Sequence, residues 1–76
     1  MLSDICLRLI AARELACLSQ EHVARLLRID LATVLLYESG LLAPTDAYFA
    51  LLAERSRIPV KTLKTGKYDT PYYFAE

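Results

Sequence analysis

The chain has 76 residues, 55% of them apolar, with only two glycines and three prolines, the size of one domain near the lower limit for folding on a hydrophobic core alone. Nine basic residues balance nine acidic ones, which argues against a protein held on nucleic acid by net charge, because phosphate neutralisation supplies most of such affinity. There is no run of about 18 or more uncharged apolar residues to span a membrane, and Met1-Leu2-Ser3-Asp4 lacks the basic start of a signal peptide, so a cytoplasmic location is expected.

Ser3-Asp4 opens the first predicted helix, about residues 4–16, in which Ile5, Leu9 and Ala12 recur at helical spacing. Ser19 starts a second helix, with Gln20-Glu21 in its first turn and Val23, Ala24 and Leu27 facing inward. Arg28-Ile29-Asp30 breaks the pattern for three residues. Asp30 is then expected to cap a third helix, from Leu31 to about Ser39, that stops at Gly40. Pro44-Thr45-Asp46 opens a fourth helix to about Arg55, with Phe49, Leu52 and Ala53 inward. A short fifth, about 59–64, carries Pro59 in its first turn, where the missing N–H costs nothing. The expected organisation is therefore all-α, five helices in a single domain over residues 1–66, followed by a tail, 67–76. That tail holds four of the seven aromatic residues: Tyr68, Tyr72, Tyr73 and Phe74.

Cys6 and Cys17 stand at opposite ends of the first helix, about 16 Å apart at helical rise and beyond reach of a disulfide. Without a neighbouring histidine or a C-x-x-C pair they make a poor zinc site. Both are expected to be small buried or half-buried side chains. His22 is expected to be solvated, as are Lys61, Lys64 and Lys67. Nothing in the sequence pairs a nucleophile with a base, pairs two carboxylates, or builds a phosphate-cradling loop. No enzyme activity, metal, cofactor or small-molecule substrate is expected.

Helix, three-residue turn, helix over about residues 20–39 is the shape of a DNA-reading unit. Leu18-Ser19-Gln20-Glu21-His22-Val23-Ala24 resembles the segment that opens the helix-turn-helix of the phage repressor and Cro (Xre-type) family. Thr33-Val34, then Tyr37-Glu38-Ser39-Gly40, and Pro44 followed by Leu52-Ala53-Glu54, are similar to that family's later motifs. The resemblance covers residues 5 to about 64. It implies a five-helix repressor/Cro-like fold and a structural ion pair between Arg13 and Glu38. It also implies glycine after the first helix and in the turn, where this chain has Cys17 and Arg28. Those turns are expected either to bear mild strain or to be reshaped.

The resemblance further implies that bases are read from the first turn and outer face of the third helix, and phosphates from just beyond it. Here those positions hold Leu31, Ala32, Leu35 and Leu36, then Leu41 and Leu42. A base edge requires a donor or acceptor, and phosphates require cations or N–H groups. Leucine provides none of these, though it can touch a thymine methyl. Gln20, Arg25 and Arg28 remain as residual DNA contacts. The leucines are expected to form an exposed patch that meets a protein, either a second copy or another regulator, with Tyr72, Tyr73 and Phe74 as an anchoring arm. Two alternatives stay open: the patch is covered by the chain's own aromatic tail, or it reads DNA in the ordinary way. In functional terms the expectation is a transcription-regulatory protein of modulator or antirepressor type. A sequence-specific DNA-binding repressor and the antitoxin of a toxin–antitoxin pair are the competing readings.

Overall fold

The computed structural model describes residues 3–67. They form five helices and no strand: α1 (Asp4–Leu15), α2 (Gln20–Leu27), α3 (Leu31–Ser39), α4 (Asp46–Ser56) and α5 (Val60–Thr65). Tyr68, Tyr72, Tyr73 and Phe74 lie outside the described residues.

Local chemistry accounts for most of the boundaries. Ser3, Ser19 and Thr45 each hold extended backbone before a helix, and each hydroxyl accepts the N–H three residues on, from Cys6, His22 and Tyr48. Asp30 also precedes its helix in extended conformation, but its carboxylate makes no capping hydrogen bond, contrary to expectation. Its backbone carbonyl alone receives the N–H groups of Thr33 and Val34. Pro59 sits just before α5 rather than in its first turn.

The C-termini use left-handed residues. Gly40 and Gly66 are the inexpensive cases, at φ 82° and 77°. A Cβ at Gly40 would lie 3.1 Å from the Cys6 sulfur, so that turn is constrained by packing as well as by φ. Cys17, Arg28 and Arg57 adopt the same region at φ 59°, 56° and 65° without the freedom of glycine. The strained alternative therefore applies at Cys17 and Arg28, and Arg57 adds a third such turn. Cys17 is also exposed, not buried, because that turn points its side chain outward; only Cys6 is buried. Arg28→Gly is accordingly expected to raise stability by about 0.5–1 kcal/mol, while Arg28→Ala, which keeps a Cβ at positive φ, leaves it unchanged. Urea midpoints at constant slope distinguish the two outcomes.

The core is built from Leu9, Ala12, Leu18, Val23, Ala24, Val34, Tyr37, Tyr48, Phe49, Leu52 and Leu63. Helix α1 lies against α3, α4 and α5, α2 against α3, and α4 against α5. Within α1, Cys6, Leu9 and Ala12 repeat every three residues to face that core. Arg8 fastens the end of α5: its Nε donates to the Leu63 carbonyl at 3.0 Å and its Nη2 to the Lys64 carbonyl at 3.1 Å. Two carbonyls that a helix end leaves without partners are satisfied in this way.

Candidate functional site

Helix α3 has two faces of different character. Val34, Tyr37 and Glu38, at i, i+3 and i+4, are buried against α1, α2 and α4. The remaining positions point outward, and there Leu31, Leu35 and Leu36 are 38–45% exposed. The chain then turns at Gly40, and the N–H groups of Leu41 and Leu42 both donate to the Leu36 carbonyl, at 3.1 and 3.3 Å. That carbonyl pins the loop beside the helix. Leu41, at 78% exposed, and Leu42, at 44%, thus join the three helical leucines on a backbone held by hydrogen bonds. Leu42 also borders a shallow recess with Ile5, Cys6, Tyr37 and Pro44.

The inner face of α3 carries a polar cluster. Arg13 Nε donates to Glu38 Oε2 at 2.6 Å, with only 12% and 6% of the two side chains exposed. Arg13 Nη1 donates to the Leu18 carbonyl at 2.8 Å, tying the pair to the turn between α1 and α2. Gln20 Nε2 donates to Glu38 Oε1 at 2.9 Å. Tyr48, fully buried, donates its hydroxyl to Glu38 Oε2 at 3.4 Å and meets the Tyr37 ring edge-on, with centroids 4.8 Å apart. One carboxylate therefore joins α1, α2, α3 and α4. Burial, reinforced by the Glu38 charge, holds the Tyr48 phenol well above the usual tyrosine range, so it stays protonated and remains a donor.

These geometries divide the expected site residues. Leu31, Leu35, Leu36, Leu41 and Leu42 are all exposed on α3 and the loop that follows it. Arg25 and Arg28 are exposed nearby, on α2 and in the turn. Gln20 is half-buried, with an amide N–H engaged by Glu38 rather than presented outward. Tyr72, Tyr73 and Phe74 lie outside the described residues. Lys64 pairs with Asp46 at 3.6 Å and sits 5.0 Å from the Phe49 ring centre. Among the described residues no group of three or more His, Cys, Asp or Glu side chains is placed to hold a metal, and no helix is long and apolar enough to cross a membrane.

The sequence reading missed Tyr48 and the role of Gln20. Tyr48, Phe49 and Leu52 form an i, i+1, i+4 stripe in which the tyrosine is as much a core residue as the phenylalanine. Nothing in the local pattern marks Gln20 as turned toward Glu38, since that contact depends on how α2 packs against α3. Together the fold and this surface define a small helical protein, with five helices among the described residues, that presents a leucine face on α3. No protein-family model, characterised protein or solved structure matches the chain.

Proposed function

We propose that this chain is a transcription-regulatory helix-turn-helix protein of the repressor/Cro kind that acts through protein contact instead of reading bases. The observation that carries the proposal is the exposure of five leucines at the positions from which the resembled family reads bases and holds phosphates. Such a face has no group that discriminates one base pair from another beyond a thymine methyl. It is instead an apolar surface of the kind that marks an interaction site when it is contiguous. The three-residue turn between α2 and α3, and the pairing of Arg13 with Glu38, support the same reading. The chain's zero net charge supports it as well. A modulator that docks on another regulator, or an assembly of like chains, uses this surface in the same chemical way.

Placing glutamate at Leu36 tests the proposal. A charge forced into an apolar contact is not compensated there, so Leu36→Glu is expected to keep the helical circular-dichroism signal and to weaken assembly by orders of magnitude. If the substitution changes neither assembly nor stability, the face is idle and the proposal fails. A lowered melting temperature, with residues 68–76 newly open to proteases, would instead mean that the chain covers its own patch.

A further inference from the structure

Charge in the last third of the chain is sorted by sign. From 55 to 67 every charged residue is basic: Arg55, Arg57, Lys61, Lys64 and Lys67. From 68 to 76 every one is acidic, Asp69 and Glu76, and the same segment holds Tyr68, Tyr72, Tyr73 and Phe74. The basic stretch contains α5, and its cations are exposed, with Lys64 engaged by Asp46. A balanced total therefore hides a cationic end of the fold, followed directly in the chain by an anionic, aromatic segment.

That end of the fold carries a groove between α1 and α5, about 280 Å³ in volume and lined by Arg8, Ala11, Ile58, Thr62, Leu63 and Gly66. Its side-chain walls are apolar except for the Thr62 hydroxyl and the Arg8 guanidinium. Arg8 is fixed in one orientation by its bonds to the Leu63 and Lys64 carbonyls, so its plane is pre-set for an aromatic ring or a carboxylate. The volume lies just below the ~300–1,000 Å³ of small-molecule sites, a size for aromatic side chains and not for a large ligand.

The described chain also ends at this groove. Thr62 and Gly66 both line it, and the Thr62 hydroxyl donates to the Lys67 carbonyl at 2.9 Å, which anchors the last described residue beside it. Residues 68–71 span at most about 13–14 Å, so Tyr72, Tyr73 and Phe74 are tethered within reach. A tethered segment meets its site at an effective concentration on the order of millimolar. An acidic peptide of another protein, or a nucleic-acid phosphate, lacks that advantage.

We propose that residues 68–76 dock in the α1–α5 groove of their own chain. Aromatic side chains from Tyr72, Tyr73 and Phe74 meet Ala11, Ile58 and Leu63 beside the Arg8 guanidinium, and Asp69 and Glu76 face the cations of α5 and its flanks. The proposal is independent of what the leucine face binds. No residue of α3 lines the groove, so docking there leaves that face open.

Nuclear Overhauser contacts in the full chain are the test, with labelled and unlabelled protein mixed to separate contacts within a chain from those between chains. Ring protons of Tyr72, Tyr73 or Phe74 are expected to show contacts, within one chain, to the methyl groups of Ala11, Ile58 and Leu63. Ala11→Glu, at an exposed position of α1, places bulk and a charge of the segment's own sign in the groove. It is expected to abolish those contacts and to raise chymotrypsin cleavage after residues 72–74 at least about tenfold, with an unchanged helical signal. Leu15→Glu, at a leucine of α1 that is 68% exposed and outside the groove, is expected to leave both readouts unchanged. Wild-type rings without contacts to these methyl groups overturn the proposal, as does survival of the Ile58 and Leu63 contacts in Ala11→Glu. So do contacts to Leu31, Leu35 or Leu36 instead, which would put the segment on the leucine face, and contacts seen only between chains, which would make the occupant a second copy's segment.

Discussion

Alanine at either Arg13 or Glu38 alone is expected to destabilise the protein by about 2–4 kcal/mol, because each change leaves its partner's charge with little water and no counterion. The two positions are not equivalent. Arg13→Ala removes one donor from Glu38, which keeps Gln20 and Tyr48. Glu38→Ala removes the only acceptor shared by Arg13, Gln20 and Tyr48, although Arg13 retains the Leu18 carbonyl. Glu38→Ala is therefore the costlier of the two. The double variant is expected to be less destabilised than the two single losses added together, since it strands neither charge. Urea denaturation of the three variants and the wild type closes the cycle. Strictly additive losses would mean that the pair contributes no coupling.

Tyr48→Ala is expected to cost about 3–5 kcal/mol, the usual loss for truncating a buried aromatic. A domain of this length has a total stability on the order of 4–11 kcal/mol, so the variant should be largely unfolded or close to it at ambient temperature. Tyr48→Phe keeps the ring and its edge-on contact with Tyr37 and loses only the hydroxyl at Glu38, for about 1 kcal/mol. The difference between wild type and Tyr48→Phe also depends on pH in a defined direction. The folded phenol holds its proton above the ordinary value of 10.0, so above that pH the unfolded chain loses the proton first. The stabilisation is complete below about pH 10 and declines as pH rises beyond it. The gap between the two proteins, read from denaturation midpoints, is expected to narrow above about pH 10. A constant gap would mean that Tyr48 is not buried as described.

Helix positions were legible because their signals are local. Ser3 and Ser19 announce α1 and α2 through hydroxyls that bond within a single turn. Gly40 ends α3, and the leucine repeat leaves three of its positions facing outward once Val34 and Tyr37 face in. Residues whose behaviour depends on a neighbouring element were less accessible. Asp30 has the residue type of a helix cap, yet its carboxylate makes no capping hydrogen bond, leaving the backbone carbonyl to serve α3. Cysteine chemistry favours a buried or half-buried place for Cys17, whereas a left-handed turn directs it outward. Arg57 takes a positive φ with no glycine to signal it. Gln20 has the residue type of a polar surface contact, but the packing of α2 beside α3 brings Glu38 within 2.9 Å of its amide. For Gln20, tertiary packing selected among conformations that the local sequence left open.

The central claim is that α3 presents leucines to protein and does not read bases. Footprinting and salt titration on the chain's own regulatory DNA test it most directly. Binding is expected to be weak, indifferent to sequence and lost at moderate salt, because the exposed face offers leucine in place of the donors and cations that specific complexes use. A nanomolar footprint on one operator at physiological salt, abolished by substitutions at Arg25 and Arg28 and indifferent to Leu35→Glu, would contradict it.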